Sequence, residues 1–377
     1  MRVLQAYKVY RPEVDGGIPE VMSQLAGLTE YGDTVDILVA RQRGWSRRFV
    51  ADGANVHAVA SLGEALSMPI APAFPHALRA AAARHDVLAL HAPFPLNDIG
   101  LSLGVPDHVA VVLHWHAEIL GRGLIMPLIR PFIERTLARA DRIVVSDPSI
   151  ITESELLGRH ADKCAVIPYG IDVAYWASLD TAQRQLIAAL RTEYPNLIVA
   201  AGRLVPYKGY PVLLKAMQEV QGHLVIIGEG REQQRLEALA RTLGVSDRVR
   251  FKGFLTRDAM KAHLHAARAF VLPSVSTAEA FGIVQIEAMA CGLPVVNTRL
   301  PTAVPNIARH NREGFTVTPG DAGELAHALD TLLQDPTRSA AMGAAARSRC
   351  EAEFSRSTFL SRIREVYSAA WQARRSG

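Results

Sequence analysis

Pro168-Tyr169-Gly170-Ile171-Asp172 is a turn-rich stretch that interrupts an otherwise regular rhythm of apolar runs and helical segments. Upstream of it, short apolar runs stand at 2–9, 34–40, 55–59, 87–91, 108–113, 142–146 and 163–167, each separated from the next by a loop or a helical stretch. The first of these intervening segments keeps a helical period through Ile18, Val21, Met22, Leu25 and Leu28, with Pro19 in its first turn. Downstream the rhythm restarts, and 197–201, 223–228, 248–253, 269–273 and 294–297 read as five further strands. Helices fall between them, such as 231–243 with Leu236, Leu239, Ala240 and Leu243 on one face. Alternation of this kind belongs to parallel sheets covered by helices on both faces. The expected α/β architecture is therefore two doubly wound, Rossmann-like domains, residues 1–170 and 171–356, with a ligand cleft at the carboxyl ends of their strands. A last helical stretch, 357–377, is longer than the second domain needs.

The bulk composition agrees. A chain of 377 residues suits two ordinary domains, and 49 % hydrophobic with 21 % charged residues is the balance of a well-filled soluble core. Met1–Lys8 reads as a first strand and not as a signal peptide, and no run approaches the length of a membrane span. Cys164, Cys291 and Cys350 are odd in number and far apart, which fits buried thiols in a reducing cytoplasm. A net charge of +4 is no nucleic-acid footprint. It is unevenly placed, however. Arg41, Arg43, Arg47 and Arg48 surround Trp45 and Phe49, and Arg122, Arg130, Arg135 and Arg139 punctuate the apolar segment from Leu120 to Ala138. Such mixtures suit contact with an anionic membrane surface, at the inner face of the plasma membrane.

Four groups of residues could carry chemistry. Asp15-Gly16-Gly17-Ile18 follows the first strand, where glycines permit close backbone approach and a helix start offers N–H groups to an anion. No G-x-G-x-x-G fingerprint accompanies it, which disfavours a nicotinamide enzyme. Gly202-Arg203-Leu204-Val205-Pro206-Tyr207-Lys208-Gly209 follows the first strand of the second half; its two cations, five residues apart, can clamp a diphosphate without a metal. Glu279 and Glu287 lie eight residues apart, with a helix expected to start near Phe281–Gly282, so that Glu279 precedes it and Glu287 sits about two turns in. His91, His114 and His116 fall at strand ends, His116 being the functional candidate. The His114-x-His116 pair is read with its side chains facing opposite ways and without a third ligand, so no metal is expected.

Together with Gly228-Glu229-Gly230 and Val249-Arg250-Phe251-Lys252-Gly253, and with Ala288-Met289-Ala290-Cys291-Gly292-Leu293-Pro294 after the paired glutamates, these motifs resemble family 4 retaining glycosyltransferases of the GT-B fold. The resemblance runs along essentially the whole chain and is strongest to bacterial surface-polysaccharide mannosyltransferases. It implies transfer of a hexose, mannose from GDP-mannose, to a saccharide or polyprenyl-diphosphate-linked saccharide, with retention and without cofactor. It also implies roles. Arg203 and Lys208 would hold the donor diphosphate, with amides of Gly16 and Gly17 near the same phosphates. Glu279 and the amides of Phe281 and Gly282 would hold the transferred sugar, and Glu287 the ribose. Backbone at Gly253 and Phe254 would meet the base, and His116 would orient the sugar or support its developing charge. The terminal helix would cross back onto the first domain.

Two departures from the family pattern, Pro19 and Ser146-Asp147-Pro148, leave the clamp untouched. No Asp-x-Asp occurs in the chain, which argues against a metal-dependent transferase of the other common fold. The competing readings are a UDP-sugar-dependent hexosyltransferase, a nucleotide-sugar epimerase of the same fold and a non-enzymatic sugar-binding protein.

Overall fold

The computed structural model describes residues 1–14, 16–65, 68–117 and 126–376. It divides into two compact units, one of residues 1–170 with the terminal segment from Arg356 onward, the other Ile171–Ser355.

In the first unit an eight-stranded sheet runs in the order β10-β9-β8-β7-β1-β2-β4-β3. The strands are β1 (Arg2–Tyr7), β2 (Thr34–Ala40), β3 (Arg47–Ala51), β4 (Ala54–Val59), β7 (Val87–Ala92), β8 (Ala110–Trp115), β9 (Arg142–Val145) and β10 (Cys164–Val166); β5 (Glu64–Ala65) and β6 (Met68–Pro69) form a separate small ladder. All pairings in the large sheet are parallel except β3 with β4. Every residue of β7 and β8 is buried, because helices cover both faces and leave no polar side to these strands. The helices are α1 (Gly17–Ala26), α2 (Phe74–Ala82), α3 (Pro95–Ser102), α4 (Met126–Arg139), α5 (Pro148–Glu153) and α6 (Glu155–Gly158).

The second unit carries a six-stranded, wholly parallel sheet in the order β13-β12-β11-β14-β15-β16. Its strands are β11 (Leu197–Ala201), β12 (His223–Ile227), β13 (Val249–Phe251), β14 (Ala269–Val271), β15 (Val295–Thr298) and β16 (Gly314–Val317). Around them lie α7 (Val173–Ala177), α8 (Thr181–Glu193), α9 (Tyr210–Ala216), α10 (Gln233–Thr242), α11 (Arg257–Ala266), α12 (Val284–Ala290), α13 (Val304–Ile307), α14 (Ala322–Gln334) and α15 (Pro336–Glu353). Polar side chains at the helix starts satisfy free amides: Asp180 and Gln183 form a reciprocal capping box on α8, Thr256 caps α11, and Asp321 caps α14. One apolar core joins Ile198, Ala200, Leu224 and Ile226 of the sheet to Leu213, Leu214, Leu236, Leu325 and Leu329 of the helices.

α16 (Arg356–Ser376) belongs to the first unit. Its stripe of Phe359, Leu360, Ile363, Tyr367 and Ala370 is buried, and each fully buried large apolar side chain contributes about 2 kcal/mol. Three arginines of this helix pair with acids of the same unit: Arg356 with Glu30 at 2.8 Å, Arg364 with Asp33 at 2.9 Å and Arg374 with Asp141 at 2.7 Å.

Several strands differ in extent from the periodicity reading. The strand expected at 108–113 is β8, shifted two residues so that it includes His114 and Trp115. β16 is a sixth strand in the second half that the rhythm did not reveal, since Gly314-Phe315-Thr316-Val317 is short and opens on a glycine. β3 likewise escaped notice: its arginines disguise a hairpin partner of β4 as a basic loop. Some of the arginines expected at a membrane also have acidic partners within the chain. Arg130 pairs with Glu134 and Glu155, Arg139 pairs with Asp141, and Arg41 pairs with Glu13. Leu120 and Arg122 lie outside the described residues.

Candidate active site

Strand order decides where each unit can bind a ligand. In the second unit the chain moves outward from β11 to β12 and β13, then returns to β14 on the other side of β11. The loops after β11 and β14 therefore diverge at their carboxyl ends and open a crevice between them. The loop after β11 is Gly202–Gly209; the loop after β14 carries Ser274 and Glu279. Lys208 Nζ stands 2.6 Å from Glu279 Oε2, and both side chains are about nine-tenths buried. Ser274 Oγ donates to the same oxygen at 2.8 Å. Both contacts fall on Oε2, and Oε1 is able to accept a further hydrogen bond. An ammonium has three N–H donors, so Lys208 keeps capacity for a phosphate oxygen after bonding Glu279. Arg203 reaches into solvent from the same loop, its Nη2 donating to Tyr207 Oη at 3.3 Å.

The neighbouring strand ends complete this edge. Leu204 N donates to Glu229 O, Gly228 N to Gly253 O, and Phe254 N to Glu229 Oε1 at 3.3 Å. Gly253 and the exposed Phe254 thus lie beside the loop that holds Arg203. Tyr210, buried under that loop, donates to Gly202 O at 3.1 Å; burial and the Glu279 charge push its hydroxyl pKa upward.

The paired glutamates require a correction. α12 starts at Val284, not near Phe281–Gly282, so Glu287 lies in its first turn and not two turns in. Gly282 has φ +75°, a left-handed backbone that no helix continues through. Phe281 is buried, and its carbonyl accepts from Gln285 Nε2 at 3.2 Å. Glu287 is half-buried and faces α7, where its charge, after burial and Asp258, helps push Tyr175 up to about 12.

In the first unit the switch point lies between β1 and β7. Asn97 Nδ2 pins it, donating to Ala6 O at 3.0 Å and His91 O at 3.2 Å. Gly16 and Gly17 follow β1; Gly17 begins α1, and neither has an atom within 4 Å of where a Cβ would stand. Asp15 lies outside the described residues. Next to this point sits a buried histidine cluster. The His91 and His116 rings are parallel within 2° and lie edge to edge, centroids 5.1 Å apart, whereas His91 and His114 stack at 4.7 Å. His91 Nδ1 is 2.8 Å from His116 Nε2, and His116 Nδ1 is 2.6 Å from Tyr169 Oη. His114 Nε2 is 2.7 Å from Tyr367 Oη of α16. Burial drives His114 down to about 3 and holds His91 and His116 well below the ordinary imidazole range. The expectation that His114 and His116 face opposite ways is wrong. Residues two apart on a strand share a face, and their rings lie 6.1 Å apart at 22°.

Gln5, Tyr169, Tyr367, Ser274 and Tyr210 were not singled out from the sequence. Tyr169 sits inside the turn that marks the domain break, and Ser274 follows an apolar run, so both occupied positions that could have been weighed. Gln5, inside β1, and Tyr367, on a terminal helix, carried no such signal. A separate groove of about 470 Å³, lined by Asp36, Arg48, His57 and Arg84 among others, contains none of the residues proposed for the donor.

Known proteins match along the chain. Residues 183–349 match the family described as glycosyl transferases group 1, and residues 15–170 a glycosyl transferase 4-like domain. The chain is 30% identical to a D-rhamnosyltransferase, WbpZ, of Pseudomonas aeruginosa over 93% of its own length and 91% of that protein. It is 27% identical to O-antigen chain mannosyltransferase C of Escherichia coli over 99% and 100%. Among solved structures it resembles sucrose-phosphate synthase from Thermosynechococcus elongatus, with a TM-score of 0.82, 22% identity and 99% of both chains covered.

Proposed function

The chain belongs to the group 1 glycosyl transferases of GT-B fold, and from that premise we propose that it transfers mannose from GDP-mannose to a saccharide or polyprenyl-diphosphate-linked saccharide during assembly of a bacterial surface polysaccharide. The observation that carries the reading is the Lys208–Glu279 pair at the switch point of the second unit. It sets a phosphate-binding ammonium beside a carboxylate oxygen able to grip a sugar hydroxyl. The mannosyltransferase name of the Escherichia coli relative supports mannose, and its O-antigen supports the polysaccharide.

In this reading Arg203 and Lys208 neutralise the donor diphosphate as the glycosidic bond breaks. The leaving diphosphate takes the proton from the incoming hydroxyl on the same face, so configuration is retained. Glu279, with the backbone at Phe281 and Gly282, holds the transferred sugar, Glu287 the ribose, and the backbone at Gly253 and Phe254 the base. Gly16, Gly17 and His116 are further candidates, the two glycine amides for phosphate oxygens and His116 for the sugar.

Donor choice is tested by thermal shift, because a ligand that binds only the folded state raises its midpoint by mass action. GDP-mannose is expected to raise Tm by several degrees; UDP-, dTDP- and ADP-sugars are not. A shift with UDP-sugars alone overturns the donor assignment.

No helix of the described residues is long and apolar enough to cross a membrane. Peripheral contact at the inner face of the plasma membrane is supported by the hairpin around β3. Trp45 is 87% exposed there and Val50 71%, and Arg43 and Arg48 stand exposed beside them. Wild-type protein is expected to sediment with phosphatidylglycerol vesicles and not with phosphatidylcholine vesicles. The triple variant Arg43→Ser, Trp45→Ser, Arg48→Ser should lose most of that binding. Equal sedimentation of both proteins would remove the hairpin from consideration.

A further inference from the structure

The hydrogen bonds around His116 have a direction that the distances alone do not state. Gln5 Nε2 lies 3.4 Å from Met22 O, and a carbonyl can only accept, so the amide nitrogen faces α1. Gln5 Oε1 therefore faces His91 Nε2, at 3.2 Å, and that nitrogen must carry the proton. A neutral His91 then has a bare Nδ1, 2.8 Å from His116 Nε2, which must donate to it. His116 in turn has a bare Nδ1, and the Tyr169 hydroxyl, 2.6 Å away, donates into it. The ladder runs from Tyr169 through His116, His91 and Gln5 to Met22, with one proton on each imidazole. Any second proton on His116 would collide with the Tyr169 hydrogen bond.

We propose that Tyr169 and His91 are positioning residues for glycosyl transfer, which hold His116 neutral with its proton on Nε2. The inference rests on the assignment of His116 to the transferred sugar. A sugar that leaves a diphosphate develops positive charge, and an imidazolium at that place would oppose it, whereas a neutral ring does not. Among the described residues, the titratable groups facing the ladder are Tyr7 on β1, His114 on β8 and, through His114, Tyr367 on α16. None of them brings a negative charge that would favour protonation, because burial pushes Tyr7 and Tyr367, like Tyr169 itself, upward. Tyr169 is also one residue from the end of the first unit, so the ladder is anchored at the peptide where the chain leaves that unit.

Tyr169→Phe removes the donor into Nδ1 and with it the bond that only the neutral ring can make. Long-range ¹H–¹⁵N spectra of the full chain, assigned with His116→Gln and His91→Gln, are expected to show both rings as neutral Nε2–H tautomers from pH 8 down to pH 5.5. In Tyr169→Phe the acid limb of kcat/KM should move up by about one pH unit. Tyr367→Phe loses a similar buried bond off the ladder and should lower Tm without moving that limb. An Nδ1–H tautomer or an imidazolium for His116 at pH 7 overturns the ladder. Correct tautomers with an unmoved acid limb in Tyr169→Phe overturn the positioning role instead, and with it the assignment of His116 to the sugar, while Arg203, Lys208 and Glu279 stay assigned.

Discussion

Lys208→Ala is expected to lower kcat/KM for transfer by about 10²–10³-fold, the usual consequence of deleting a donor aimed at charge that grows in the transition state. Two effects are superposed in that variant. One, on the proposed assignment, is loss of the ammonium from the departing diphosphate. The other is structural: Glu279, only 7% exposed, is left without its cation, and breaking a buried pair by removing one partner costs about 3–5 kcal/mol. The two effects separate in a double variant. Lys208→Met with Glu279→Gln removes both charges and keeps approximate volume, so Tm should recover most of what Lys208→Ala loses. Activity should not recover, because the Lys208 ammonium and the Glu279 carboxylate are both still missing. Thermal melts and initial rates on the three proteins decide the matter. If Lys208→Ala keeps its kcat/KM within twofold, Lys208 is no part of a phosphate clamp.

The second large effect is expected one residue further on. Gly209 has φ +70°, and a Cβ built there would stand 1.9 Å from Pro273 O, a backbone atom that cannot swing aside. Gly209→Ala must therefore push the β11 loop from the β14 loop, where Val275 N donates to Tyr207 O at 2.8 Å. A left-handed backbone alone costs an alanine about 1–2 kcal/mol. The collision adds to this, and Tm should fall by roughly 5–10 °C. Lys208 and Glu279 sit on the two loops being separated, so kcat/KM should fall about 10²-fold from misplacement alone. Gly244→Ala is the control: its φ is also +70°, but nothing lies within 4 Å of the new Cβ. It should show the backbone cost and no loss of activity per folded molecule. Equal losses in both variants would mean that the close approach of the two loops contributes nothing to the site.

Much of this edge was legible before any coordinates. Arg203, Lys208 and Glu279 stand on loops that follow apolar runs, and in a doubly wound sheet those loops hold ligands. The start of α12 was not legible, because a glycine in a sequence does not announce a left-handed backbone. With Gly282 at φ +75° the helix begins two residues later, and Glu287 moves from its second turn to its first. The basic segments were ambiguous for a related reason. An arginine reads the same whether it meets a lipid headgroup or, like Arg130 and Arg139, an acid elsewhere in the chain.

By itself the sequence determined the alternation of strands and helices, the break at 168–172 and the chemical types gathered at strand ends. Periodicity reports burial, and strands buried on both faces write continuous apolar runs whatever their neighbours are. Only the tertiary structure decided the partners. Lys208 meets Glu279 because β11 and β14 are adjacent in the sheet, and His114 meets Tyr367 across 253 residues because α16 packs on β8. Strand order and helix docking arise from packing between elements distant in the chain. The direction of the ladder through Tyr169, His116, His91 and Gln5 follows from that packing as well, since each proton's place is set by a neighbour that no local pattern names.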